Sequence, residues 1–362
     1  MKVNILFFCP REVNVTMGGI ERVTDTLARH LIKNGFNVVF LSVERTCSKE
    51  YESVAQQYFT KEAGNEEWIL EIIKKHRISI IINQMSFFHF CSKKALPCNV
   101  RVITVMHDSY YAMYNRLQFG FIRRLHWKYV IQRMLRQTYR DSDKIVLFVP
   151  EFVDEYRYFC PSAKKDKFVI IPNFNSFSHV DISAKEKKLL WVGRHAETNK
   201  RTTDMLKIWA KLENIFPDWS LDVLGDGPDG DVVRDFHARL NLKRCKLCGI
   251  QNPEEFYKKA SFVCVTSAFE SFGMILTEGM QYGCIPFAYD SYTAVRSIIN
   301  DGIDGILIKP FDTDEYAEKL AALMKNEKKR KEMSNAAVLS VKRFDAERIM
   351  PIWIELVNGL CS

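Results

Sequence analysis

The chain has 362 residues, 47% of them apolar and 27% charged, with a net charge of +8. That length suits two domains, and the composition excludes a disordered polymer or a fibrous repeat. No apolar run approaches the roughly 18–20 residues that cross a bilayer as a helix.

Val3–Cys9 reads as a buried strand. Its apolar run is too short for a secretory leader and no small-residue cleavage site follows, so a cytoplasmic address is expected. The loop behind it reaches Gly18-Gly19, where backbone N–H groups can approach a ligand at a helix start. Glu21–Asn34 is the helix, stopped by Gly35. Asn37–Val43 is the next strand, Trp68–His76 a helix, and Ile78–Asn83, Val100–Met106 and Lys144–Val149 further strands. Continuous Val/Ile runs alternating with helices predict a parallel sheet covered on both faces. Met106-His107-Asp108 puts an imidazole at a strand's C-terminal end, where ligands of such sheets bind.

Between Ser109 and Arg140 stand seven basic residues and no acid: Arg116, Arg123, Arg124, Lys128, Arg133, Arg136 and Arg140. Such a stretch suits an anionic membrane surface through residues 116–140, although the basic residues do not share one helical face. Nucleic acid is not expected, because no recognition motif accompanies the charge.

Val169–Pro172 is a short strand, and the polar segment Asn173–Lys187 reads as a hinge. A second series then begins. Strands are predicted at Leu189–Val192, Leu221–Leu224, Ser261–Thr266 and Cys284–Ala288. Helices are predicted at Thr202–Ile215, Asp231–Leu240, Pro253–Ala260, Leu276–Tyr282, Asp314–Asn326 and Asp345–Leu360. The layout is α/β: two Rossmann-like domains facing a cleft, residues 1–172 with 345–362, and 173–344.

Four loops of the second domain bear on chemistry. Gly193-Arg194 leaves a strand, and Lys200 precedes the next helix. A forked guanidinium and a compact ammonium can clamp a diphosphate there. Gly225-Asp226-Gly227-Pro228-Asp229-Gly230 matches the G-x-G-x-x-G spacing of dinucleotide sites, but its carboxylates would repel a pyrophosphate, so it reads as a strand-to-helix turn. Cys245 and Cys248 lack a second ligand pair at zinc spacing, and ten cysteines in a long chain fit buried thiols, so neither metal nor disulfides are expected. Ser267 to Met280 holds Glu270 ahead of a helix, Gly273 at its start and Glu278 within it. Carboxylates so placed can hold sugar hydroxyls, and the free N–H groups can meet phosphate or sugar oxygens.

These residues in this order resemble the retaining glycosyltransferases of family 4, which have the GT-B fold. The matching positions are Gly18-Gly19-x-Glu21, His107, Gly193-Arg194 with Lys200, Gly225-Asp226-Gly227-Pro228, and Glu270 with Glu278 in the family's E-x7-E spacing. The resemblance runs from about Val3 to Gly305. It implies a nucleotide-sugar donor, UDP-linked hexose or N-acetylhexosamine, and a glycan or lipid-linked acceptor in cell-surface polysaccharide or lipopolysaccharide biosynthesis. It implies that Arg194 and Lys200 neutralise the donor diphosphate and that Glu270 holds the transferred sugar. It places the backbone of Ser271, Phe272, Gly273 and Met274 on sugar and phosphates, and Glu278 on the ribose. Gly18 and Gly19 would line the phosphate side, and His107 would sit by the sugar and acceptor. The base is expected near Cys248-Gly249-Ile250, no metal or other cofactor is expected, and the last helix is expected to cross back to the first domain. The enzyme would be cytoplasmic or peripheral on the inner face of the plasma membrane. The family's proline- and glycine-rich loop is here Tyr289 to Thr293, and its usual hinge glycine is Phe174. An NAD-dependent oxidoreductase and a non-catalytic sugar-nucleotide-binding subunit are the alternatives weighed against this reading.

Overall fold

The computed structural model describes residues 3–15, 18–45, 52–60, 66–85, 93–107, 109–110, 114, 120–175 and 185–361. The chain divides into two units, Met1–Ser176 with Asp345–Ser362, and Phe177–Phe344. Asp108, Arg116 and residues 176–184 of the predicted hinge lie outside the described residues.

The first unit is built on β1 (Asn4–Arg11), β2 (Asn37–Glu44), β3 (Gln56–Phe59), β4 (Ile80–Asn83), β5 (Arg101–Val105), β6 (Lys144–Leu147) and β7 (Phe168–Ile170). They pair in the order β3-β2-β1-β4-β5-β6-β7, every pair parallel. Phe7 of β1 lies opposite Phe40 of β2 and Ile82 of β4, and all three are fully buried. The helices are α1 (Gly19–Lys33), α2 (Glu66–Lys75), α3 (Phe121–Asp141), α4 (Phe152–Phe159) and, from the end of the chain, α12 (Ala346–Cys361). Helix α1 turns Val23, Leu27, Ala28 and Leu31 inward, the spacing of an amphipathic helix on a sheet. It stops at Gly35, whose φ of +86° lies in the left-handed region. The Phe36 N–H then reaches the Leu31 carbonyl at 3.1 Å, the closing bond of a Schellman turn. Helix α12 packs against α1, and Asp345 forms a parallel bridge with Asn175.

The second unit holds β8 (Glu186–Val192), β9 (Ser220–Leu224), β10 (Cys245–Gly249), β11 (Ala260–Val265), β12 (Ile285–Tyr289) and β13 (Ile306–Ile308). Their order is β10-β9-β8-β11-β12-β13, again parallel throughout. Its helices are α5 (Thr202–Leu212), α6 (Gly230–Leu240), α7 (Glu254–Lys259), α8 (Met274–Gln281), α9 (Val295–Ile298), α10 (Thr313–Lys325) and α11 (Glu327–Val341). Trp209 of α5, Trp219, Phe262, Phe287 and Tyr316 are at most 2% exposed in one continuous core.

Strands β3, β10 and β13 are absent from the sequence reading, and all three stand at sheet edges. An edge strand is short and half solvated, so it lacks the apolar run that marks a buried parallel strand. Helix α11 was also missed, because it buries only Met333, Ala337 and Val341 along a narrow stripe. The basic stretch needs a correction. In α3, Tyr129, Gln132, Arg133, Arg136, Gln137 and Arg140 do share one face, lining a groove of about 470 Å³. Arg124 and Lys128 lie elsewhere, over the rings of Tyr114 and Tyr158 at 5.0 and 4.7 Å. Five of the basic residues of α3 thus divide into two sets.

Glu213, which closes α5, is 5% exposed. Its Oε1 accepts from the Trp209 indole at 3.1 Å and from the backbone N–H groups of Lys243 and Arg244 at 2.9 and 2.6 Å. Burial alone would raise this carboxyl, but the bonds from Arg244, Lys243 and Trp209 outweigh it and hold it below the ordinary range. A group lowered on folding adds stability above its unfolded value and loses it as pH falls through the folded value. Glu213→Gln removes the charge and should cost about 1–2 kcal/mol in urea unfolding at pH 7. The deficit should shrink below about pH 4, the ordinary glutamate range.

Candidate active site

In a parallel sheet the strand order reverses where the chain, having built outward on one side, returns to build on the other. The loops leaving the two central strands then diverge and leave room for a ligand. In the second unit that reversal falls between β8 and β11. The loop after β8 carries Arg194 and Lys200, and the loop after β11 carries Glu270. The structure brings Lys200 and Glu270 together. Lys200 Nζ donates to Glu270 Oε1, each side chain 16% exposed. The Ser267 hydroxyl donates to the same oxygen at 2.6 Å. Arg194 is exposed and forms no ion pair among the described residues.

The glycines of the 225–230 loop have a structural task. Gly225 has φ +124°, and a Cβ there would run into the Gly193 carbonyl. A Cβ on Gly227 would come 2.5 Å from the His195 carbonyl oxygen and 2.9 Å from Arg194 Cγ. The two loops lie flat on each other, the His195 N–H donating to the Asp226 carbonyl and the Asp229 N–H to the His195 carbonyl, both at 3.0 Å. Asp229 Oδ2 accepts the Glu197 N–H at 2.7 Å. The motif supports the Arg194 loop through its backbone and the Asp229 carboxylate, while Asp226 accepts the Gly227 N–H and pairs with Arg234. His195 is buried, which lowers its pKa against the pull of Asp226 and Glu197.

Gly273 begins α8 at φ +104° with no side-chain cap on the helix. A Cβ there would lie 3.0 Å from the Tyr292 hydroxyl. Tyr292 is 5% exposed. Burial first, and the Glu270 charge second, raise its pKa well above the ordinary value, so it stays a neutral phenol. It stands in the segment that departs from the family pattern. Ser271 and Met274 are partly exposed and Phe272 is buried, its ring edge-on to Phe344 at 5.3 Å. Glu278 lies one turn into α8, is 1% exposed and accepts from the Tyr257 hydroxyl at 3.1 Å. Ile250 is 81% exposed just past β10.

In the first unit the reversal falls between β1 and β4. Gly18 and Gly19 open α1 beyond β1, and no side chain caps that helix. Among the described residues nothing comes within 4 Å of a Cβ placed on Gly19. His107, beyond β5, donates from Nε2 to Gln84 Oε1, beyond β4, at 2.5 Å. It is 6% exposed, and burial pushes its pKa down to about 4. The imidazole is neutral at pH 7 and acts through hydrogen bonds rather than as a cation.

Sequence reasoning missed Ser267, Thr266, Trp191 and Tyr257. Each is an ordinary residue whose role comes only from the neighbour that the fold supplies. Thr266 is fully buried at the end of β11. It accepts from the Trp191 indole at 3.0 Å and faces the carbonyls of Lys200 and Arg201 at 2.9 and 3.0 Å. Arg201 is left-handed at φ 50°, which costs a non-glycine residue about 1–2 kcal/mol.

Gly225→Ala should destabilise the second unit by about 2 kcal/mol or more, since it adds a backbone collision to a strained φ. Gly35→Ala meets no described atom within 4 Å and should cost only about 1 kcal/mol for its φ. Urea midpoints of the two variants provide the comparison.

Residues 17–174 match the family Glycosyltransferase Family 4, and residues 174–339 match Glycosyl transferases group 1. An uncharacterized glycosyltransferase of Haemophilus influenzae is 23% identical over 357 residues, covering 93% of this chain and 95% of that protein. A Campylobacter jejuni α-1,4-N-acetyl-D-galactosaminyltransferase, named for an undecaprenol-diphosphate-linked acceptor, is 27% identical over 203 residues, 55% of this chain and 56% of that one. The pneumococcal O-GlcNAc transferase GtfA, solved in complex with UDP and GlcNAc, superposes with a TM-score of 0.77 at 12% identity over 99% of both chains. With two all-parallel sheets and family matches along nearly its whole length, this chain belongs to the retaining glycosyltransferases of family 4, the glycosyl transferases group 1.

Proposed function

We propose that this enzyme takes a hexose or N-acetylhexosamine from a UDP-linked donor. It transfers the sugar, with retained configuration, to a glycan or lipid-linked acceptor of a cell-surface polysaccharide or lipopolysaccharide. The observation that carries this reading is the Lys200–Glu270 pair at the β8/β11 reversal, with an exposed Arg194 on the same loop as Lys200. In the reaction, negative charge builds on the leaving diphosphate as the glycosidic bond breaks. Arg194 offers a bidentate fork to that charge and Lys200 a point charge. Fixed donors of this kind stabilise the transition state without reorganising. Glu270, already held by Ser267, accepts from hydroxyls of the transferred sugar. The backbone of Ser271 to Met274 meets the sugar and phosphates at the uncapped start of α8, Glu278 serves the ribose, and the segment ending at Ile250 faces the base. Gly18 and Gly19 serve the phosphates from the first unit, and neutral His107 hydrogen-bonds the sugar or acceptor. These cations do the work that a divalent metal does in other transferases. UDP in the GtfA complex and the undecaprenol-linked acceptor in the name of the Campylobacter relative support the donor and acceptor classes.

The acceptor side draws in α3. Ile122, Leu125 and Tyr129 are 82%, 53% and 63% exposed, and Arg133, Arg136 and Arg140 continue the same helical face. An apolar patch followed by guanidiniums suits an anionic lipid surface. Among the described residues no helix is long and apolar enough to cross a membrane.

Stabilisation by ligand in a thermal-shift panel of UDP-, GDP- and ADP-sugars tests the donor class, and the UDP-sugar should give the largest rise. Arg194→Ala and Lys200→Ala should each lower turnover well over tenfold, with wild-type turnover unchanged by EDTA. Wild-type rates in both variants would remove the mechanism. Changing Arg133, Arg136 and Arg140 together to Glu should cut sedimentation with phosphatidylglycerol vesicles at least tenfold. Phosphatidylcholine vesicles should bind neither protein, and equal binding of both proteins to the anionic vesicles would dismiss the surface.

A further inference from the structure

We infer that Thr266 is a positioning residue for catalysis: its hydroxyl locks the loop that carries Lys200 to the loop that carries Glu270. The inference rests on the donor reading above, in which Lys200 meets the diphosphate. Thr266 is the first residue past the end of β11, on the way to Glu270, and it is 0% exposed. Its Oγ1 accepts the Trp191 Nε1–H at 3.0 Å, so its single proton points away from the indole, toward the carbonyls of Lys200 and Arg201 at 2.9 and 3.0 Å. One proton shared between two carbonyls is a three-centre bond. Two residues on, the Ala268 N–H donates to the Asn199 carbonyl at 2.7 Å. The loops are thus stitched at successive carbonyls, Asn199, Lys200 and Arg201.

The stitching acts where the backbone resists. Arg201 holds a left-handed conformation that its side chain disfavours, and it heads α5. Without the hydroxyl, the carbonyls of Lys200 and Arg201 lose their tie to β11 and only the Ala268–Asn199 bond remains, so the turn would relax toward an ordinary helix start. Lys200 would then carry its ammonium away from Glu270. A buried Trp N–H would also lose its acceptor, which adds a stability cost separate from the positioning role. Thr266 touches no substrate in this account. It acts through Lys200, so its effect must disappear when the Lys200 side chain is removed.

A double-mutant cycle read as UDP affinity by titration calorimetry tests this. Thr266→Val should weaken UDP binding about tenfold, and Thr266→Ser should restore it to within about twofold. In a Lys200→Ala background, Thr266→Val should cause no further loss. Multiplying effects, or an unchanged affinity in Thr266→Val, would overturn the positioning role. If Thr266→Val does not fold, Trp191→Phe enters the same cycle, since it removes the bond that orients the hydroxyl. It should weaken UDP binding in the Lys200 protein and not in the Lys200→Ala protein, and equal loss in both would overturn the inference. Wild-type affinity in Lys200→Ala alone would instead overturn the donor reading itself.

Discussion

Two opposite charges held side by side at the reversal of a parallel sheet set the terms for the second unit. Lys200 and Glu270 arrive on loops that leave the C-terminal ends of neighbouring central strands, β8 and β11. Both are largely withdrawn from water. A partly buried charge loses hydration, and each of the two supplies the other's counter-charge. Paired, they present a cation and a carboxylate side by side in one polar cluster. The Ser267 hydroxyl on Glu270 fixes which carboxylate oxygen faces the ammonium.

Around this pair the second unit places supports that carry no chemistry of their own. The 225–230 loop, with glycines where a Cβ would strike backbone, lets the Arg194 loop lie flat on it. Asp226 and Asp229, which in isolation argue against phosphate, are occupied with backbone N–H groups and Arg234. The spacing that imitates a dinucleotide fingerprint therefore arises from packing between two loops. Gly273 makes a similar contact from the other side, where the Tyr292 hydroxyl fills the space next to it. Where the family commonly has a proline- and glycine-rich stretch, this chain places a buried neutral phenol next to Gly273.

The first unit shows the same economy with less charge. His107 is tied to Gln84 and kept neutral by burial, so the imidazole keeps one hydrogen-bonding pattern across the physiological range. Helix α3 shows why charge along a sequence and charge on a surface differ. Arg124 and Lys128 are taken up by tyrosine rings, whereas Arg133, Arg136 and Arg140 line a common groove.

The sequence by itself determined the βα alternation, the stop of α1 at Gly35 and the loops that bear Arg194, Lys200, Glu270 and Gly273. Buried parallel strands write continuous apolar runs, and the residues that follow such runs can be read directly. It could not announce β3, β10 and β13, because edge strands lack that signal, nor the narrow buried stripe of α11. Only the tertiary structure decided which charges meet. Lys200 and Glu270 stand seventy residues apart along the chain, and their pairing exists because β8 and β11 are adjacent although β9 and β10 lie between them in sequence. The tasks of Thr266, Ser267 and Tyr257 belong to the same class. A hydroxyl's partner is set by a distance of about 3 Å, and no pattern along one chain encodes which distant carbonyl or carboxylate will arrive there.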